Sequence, residues 1–146
     1  MTTLLRPAGE ATPWGRRRAG FGLTLALLRV LATVHALLVL SQPVSIGQYL
    51  SGLYDWLGVH AFGASMVILS AMLLSVVTIG YALTGGRLWV AVVGPALFLS
   101  EGLQIGMGYQ RNLALHVPLG VAIVVVTLAF AGWSWSRAAA RPRSGR

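Results

Sequence analysis

Few residues in this chain are able to do chemistry: three histidines, and two charges, Arg29 and Glu101, that fall inside long apolar runs. His60 lies in "LSGLYDWLGVHAFGAS" (residues 50–65) and His116 in "IGMGYQRNLALHVPLGVA" (residues 105–122), each just inside an apolar run. An ionisable or strongly polar side chain in a membrane helix is costly and by default marks a functional site. Neutral imidazole is a good iron ligand, and helical bundles build cofactor sites from facing helices at a common height. The chemistry these residues point to is one b-type heme held between His60 and His116 as axial ligands.

The two histidines belong to an internal echo. "GLYDWLGVH" (52–60) and "GYQRNLALH" (108–116) share Gly, Leu and His in the pattern G-x4-L-x2-H, one helical hairpin apart. Tandem hairpins related by an axis along the membrane normal are a known membrane plan. Side chains three and four residues on share a helical face. Gly63 and Ala64 therefore flank His60, and Gly120 flanks His116, small enough for a flat macrocycle to lie against the helix or for helices to pack closely. Arg111, with Gln42, Tyr49, Gln104 and Tyr109 at the outer loops, is placed to meet lipid headgroups or heme propionates. Pro118 reads as a helix starter in the first turn, where proline is tolerated.

Counting from the loops at about 1.5 Å per residue puts His60 and His116 roughly 7–8 Å below the outer surface. His35, five residues before the expected end of the first span at Leu40, reaches a similar depth and joins them as a third candidate metal ligand. Glu101 falls near the same layer. It has three readings: an ion pair with Arg29 or Arg111, an acceptor orienting a ligand histidine, or a proton acceptor from a quinol. Arg29, near mid-membrane, is expected to face the interior, with Glu101 as its structural partner.

The elements that position these residues follow from composition. The chain is 56% hydrophobic and only 10% charged, with a mean hydropathy of +0.76, whereas a soluble domain carries about 25% charged residues. Lipid must be the solvent for most of it. A helical span takes about 20 apolar residues, and four stretches qualify: 21–40, 57–83, 88–107 and 112–136. The basic run and "VHA" of the first stretch resemble a signal peptide, but the apolar run continues past that point and is expected to stay on the chain. With no cysteine, disulfides, thiolate nucleophiles and iron–sulfur clusters are excluded.

The net charge of +8 comes from arginines at the two tails and in the 84–87 loop. That distribution signals topology and anionic lipid rather than nucleic acid, and it puts both termini in the cytoplasm. The expected fold is all-α and integral to the membrane: an antiparallel up-down four-helix bundle of two tandem hairpins over residues 21–136, between basic tails 1–20 and 137–146. Tyr54, Trp56, Tyr81, Trp89, Trp133 and Trp135 at the span ends read as an interfacial belt.

Four helices, cytoplasmic termini, and histidines near the outer ends of the second and fourth helices resemble one half of heme A synthase. The segment "LHVPLGVA" is similar to those of membrane b-type cytochromes. The resemblance covers residues 21–136 in topology and rests in sequence on His60 and His116. It implies a heme held by that histidine pair. The family's second half, its outer-loop cysteine pair and its glutamate before the first histidine (Leu57 stands there, with Asp55 the nearest acid) are missing, so heme A synthesis is not carried over.

The expected role is electron transfer or heme handling in the bacterial inner membrane, as a partner or subunit of a quinone-linked or respiratory complex. Two other classes stay open. One is a cofactor-free structural subunit or assembly factor. The other is a non-heme metal or proton-coupled transport site made by His35, His60, His116 and Glu101.

Overall fold

The computed structural model describes residues 13–143, with side chains from residue 19 onward. Arg6, Arg146 and the outermost parts of both basic tails lie outside the described residues. The described chain is all helical, with α1 (Pro13–Leu50), α2 (Trp56–Leu83), α3 (Val90–Tyr109) and α4 (Leu113–Ser134). All four helices are long and apolar enough to cross a membrane.

Helix α1 departs most from expectation. It does not stop at Leu40 but runs through Pro43 to Leu50. Its 38 residues span about 57 Å, well beyond a hydrocarbon core of about 30 Å. Pro43 removes one backbone donor and leaves the Val39 carbonyl without its usual partner, a modest loss where the helix leaves lipid for a polar environment. Gln42, Ser45 and Tyr49 therefore lie on a helix, not in a loop.

In each of the three connections the second residue sits at positive φ: Gly52 (97°), Gly85 (116°) and Arg111 (57°). The backbone bonds are those of the αL cap with two crossing bonds. Leu53 N–H meets Gln48 O at 3.2 Å, Gly86 N–H meets Tyr81 O at 2.8 Å, and Asn112 N–H meets Met107 O at 2.9 Å. Only Arg111 holds this conformation with a side chain. Asn112 then caps α4, its side chain accepting from Leu115 N–H at 3.3 Å. The cap starts α4 at Leu113, so Pro118 lies in the second turn rather than the first.

Helix α1 packs on α2 and α4, and α3 packs on the same two, leaving α1–α3 and α2–α4 as the diagonals. Thr24 near the start of α1 meets Thr84 past the end of α2 at 2.8 Å. At the opposite end of α1, Ser45 meets His60 near the start of α2. Between helices in lipid, small residues give the closest packing. A Cβ on Gly94 of α3 would come 2.6 Å from Ser75 Cα of α2.

Packing is uneven along the bundle. The larger core joins Leu25, Leu28, Leu74, Tyr81, Val90 and Phe130 at the end where α2 meets α3, and a smaller one joins Val39, Val67 and Ile123. Tyr81 is not part of an interfacial belt. It is fully buried, beside Phe21 and Trp133, and its hydroxyl donates to Ala139 O at 2.8 Å. The segment after α4 packs back on this end, and Arg143 N–H donates to Gly85 O at 2.7 Å.

Candidate functional site

Two pairs of side chains bridge the two diagonals of the bundle. Across α2–α4, the rings of His60 and His116 approach edge-on, with centroids 6.4 Å apart and planes at 67°. Across α1–α3, His35 Nε2 lies 3.0 Å from Glu101 Oε1, both side chains being almost wholly buried.

The first pair is held alike on both sides. His60 Nδ1 is 3.3 Å from Gln42 O and 3.1 Å from Ser45 Oγ, while Ser45 Oγ donates to the same carbonyl at 2.9 Å. His116 Nδ1 is 2.9 Å from Gln104 O. A carbonyl only accepts, so each Nδ1 carries the proton and each Nε2 keeps its lone pair. A metal-binding histidine is usually fixed this way, its other ring nitrogen donating to a carbonyl.

The echo extends to residues that the sequence did not single out as partners. Each histidine on α2 or α4 answers to a glutamine carbonyl on the preceding helix, Gln42 on α1 or Gln104 on α3. The same glutamine's side chain lies over the glycine that follows the histidine. A Cβ on Gly63 would run into the Gln42 amide, and one on Gly120 would come 2.8 Å from Gln104 Nε2. The two glycines thus make room for glutamines rather than presenting bare backbone to a ring. Two buried oxygens here, Gln42 Oε1 and Gln104 Oε1, have no hydrogen-bond partner. A sequence signal for this unit exists only in hindsight: a polar amide on the preceding helix, then His with Gly three or four residues on.

The shared glycines of the echo do different work. Gly52 serves its turn, with open space where a Cβ would point, whereas Gly108 seats the His116 ring, whose Cε1 would be 3.0 Å from an added Cβ. Arg111 is exposed in the α3–α4 turn, five residues before His116.

His35 does not share the layer of His60 and His116. Because α1 continues to Leu50, His35 lies seven residues, or about 10 Å along the axis, deeper than Gln42. Its Nδ1 is 2.8 Å from Ser70 Oγ of α2. Among the described residues no three of the potential ligands form a metal-binding group, so His35, His60, His116 and Glu101 do not make a common non-heme metal site. Nor does Arg29 pair with Glu101. Its Nε donates to Ser134 O at 3.1 Å and its guanidinium lies over Trp135. A cation suits the free carbonyls at a helix C-terminus, and α4 ends beside α1 at that level.

A cavity of about 520 Å³ lies away from the histidines, an apolar groove between α3 and α4 lined by Trp89, Val92, Leu97, Leu119, Ile123 and Val126. Compared with known protein families, curated proteins and solved structures, the chain matches none.

The 6.4 Å between the His60 and His116 ring centroids is close to the separation that two imidazoles on one iron would have. With metal–nitrogen bonds of about 2 Å and a ring radius of about 1 Å, coaxial rings on one metal have centroids about 6 Å apart. The donor set is neutral nitrogen on both sides, and the two unpaired amide oxygens supply polar groups beside it.

Proposed function

We propose that this chain is a membrane protein holding one heme b between His60 and His116, serving electron transfer or heme handling beside a quinone-linked or respiratory complex. The observation that carries the reading is the approach of two imidazoles to 6.4 Å between ring centroids, each with Nδ1 committed to a carbonyl on the neighbouring helix. Bound there, the heme would supply a one-electron couple in the outer half of the bundle. The chain's own residues do the positioning. Gln42 and Gln104 set the tautomer and ring orientation, Gly108 gives the His116 ring its seat, and the Gln42 and Gln104 amides together with Arg111 meet the polar edge of the ligand. The reading includes an up-down bundle of two tandem hairpins in a bacterial inner membrane with both termini cytoplasmic, as the arginine distribution implies.

The optical spectrum of the purified, dithionite-reduced protein, expressed with ample heme, tests this. The expected result is a red protein with the sharp reduced bands of a six-coordinate low-spin b-type heme. His60→Ala and His116→Ala should each abolish the low-spin form. A colourless wild-type protein would sink the reading in favour of a cofactor-free structural subunit, in which the same histidine–glutamine hydrogen bonds act only as interhelical glue.

A further inference from the structure

The geometry points to a second site, a buried proton acceptor made by Glu101, His35 and Ser70, which takes up one proton when the heme site gains one electron. The inference rests on the heme reading and adds a residue-level account of how charge is balanced in the bundle.

The proton inventory of the triad follows from its hydrogen bonds. Ser70 Oγ has one proton and donates it to Val67 O at 2.7 Å. The contact of 2.8 Å between Ser70 Oγ and His35 Nδ1 is therefore a donation from Nδ1–H to the hydroxyl oxygen. Nε2 is left facing a carboxylate oxygen at 3.0 Å, but without the alignment of a straight hydrogen bond, and Glu101 Oε2 has no partner at all. An unprotonated His35–Glu101 pair carries one negative charge, and a pair with one added proton is neutral whether that proton rests on Nε2 or on the carboxyl. The remaining lone pairs, on Nε2 and on both carboxyl oxygens, are the acceptors.

Among the described residues within the bundle, nothing else competes for the role. Helix α4 carries no ionisable side chain besides His116, and α2 carries only His60 and Tyr81. The Tyr81 hydroxyl is engaged by Ala139. On α1, Arg29 is committed to Ser134 and Trp135, and Tyr49 packs edge-on to Tyr54 beyond the outer end. Tyr109, the other ionisable group of α3, is exposed at its end. Glu101 is thus the one acidic group within the four helices, held diagonally across the bundle and deeper than the imidazole pair.

A charge in this medium is stabilised chiefly by an opposite charge close by. With heme held between two neutral imidazoles, ferric iron would give the site one net positive charge on its core, which the unprotonated pair would offset. A one-electron reductant giving up its electron to that site would remove the offset, and the His35–Glu101 pair would then restore neutrality by binding a proton drawn from water. One electron enters, one proton follows, and the reductant leaves oxidised by one electron. Toward the imidazole pair, Gln104 is one turn from Glu101 on the same face of α3, and its unpaired Oε1 and that of Gln42 are the kind of buried acceptors that hold ordered water.

Spectroelectrochemical titration of the intact, heme-loaded protein in detergent, across the neutral pH range, tests the coupling. In the wild type the midpoint potential should fall as pH rises, approaching about 59 mV for each tenfold drop in proton activity, the value for one proton per electron. Glu101→Gln, an isostere that cannot take the proton, should flatten that slope while the low-spin spectrum persists. The infrared difference spectrum should gain a protonated-carboxyl carbonyl band on reduction in the wild type or, where the proton rests on the imidazole, a shift in its ring modes, and Glu101→Gln should lose either signal. Heme bound with a flat wild-type slope would overturn this inference and leave the heme reading intact, and the wild-type slope requires no variant to fold. A slope unchanged in Glu101→Gln would assign the proton to other groups such as the propionates, overturning it equally. A wild-type protein that binds no heme would overturn both.

Discussion

Arg29 lies over the indole of Trp135, 5.2 Å from the ring centroid, and that contact ties the first helix to the end of the last. An arginine in mid-sequence of an apolar helix reads as a buried charge in need of a buried partner. Here it reaches the carbonyls at the C-terminus of α4 instead. Glu101, on a different helix and nearer the opposite end, has no partner in common with it. Losses from Arg29→Leu and Glu101→Gln in detergent melting should therefore add, within about 0.5 kcal/mol, as they do for separated sites. The same cycle run on His35→Gln and Glu101→Gln should depart from additivity by about 0.5–3 kcal/mol. A coupling of that size between Arg29 and Glu101 would show that the two communicate.

Gly52 and Gly108 occupy matching places in the sequence echo and should respond to substitution in opposite ways. Gly52→Ala puts a side chain at positive φ in open space and should cost about 1 kcal/mol of stability, leaving the reduced spectrum unchanged. Gly108→Val drives a branched side chain into the His116 ring and should weaken low-spin heme binding without a comparable loss at the turn. Equal spectral effects from the two would mean that the ring does not rest on Gly108.

Gly94→Ala is expected to destabilise by about 1–3 kcal/mol, the usual cost of overfilling a packed interface. The added methyl meets the backbone of Ser75, which cannot swing aside as a long side chain does. Thermal melting in detergent checks this, with Gly22→Ala, where nothing lies within 4 Å, as the control expected to be neutral or stabilising.

Orientation is tested on the cysteine-free chain by single cysteines and an impermeant thiol reagent. Ser45, on the extended part of α1, is buried against His60 and unsuitable. Ser51, exposed in the α1–α2 connection, and Ala140, exposed after α4, are the proper pair. Labelling from outside should reach Ser51→Cys and miss Ala140→Cys. The reverse pattern would turn the bundle over and put the imidazole pair on the cytoplasmic side.

The sequence made α2, α3 and α4 legible to within a few residues at each end, because an uninterrupted apolar run of sufficient length has one interpretation in a bilayer. It misplaced the end of α1, since "SQPVS" carries the polar residues and proline that ordinarily break a helix. That one error displaced everything measured from it: the depth of His35, the loop status of Gln42 and Ser45, and the idea of a single histidine layer. The partners of Arg29, Glu101 and Tyr81 were illegible for a different reason. Each is decided by which face of one helix meets which face of another, and nearly uniform apolar spans leave that choice unmarked.

The uneven packing has a consequence for the order of assembly. The aromatic and aliphatic core, together with the segment that folds back under Tyr81, fastens the four helices at one end, while the imidazole end is joined mainly by a handful of hydrogen bonds. Such a bundle is stitched like a purse at its base, and parting of its mouth would leave the seam undisturbed. On the proposed heme reading, loading would need no unfolding of the fastened end, and the chain could be inserted into the membrane first and filled afterwards.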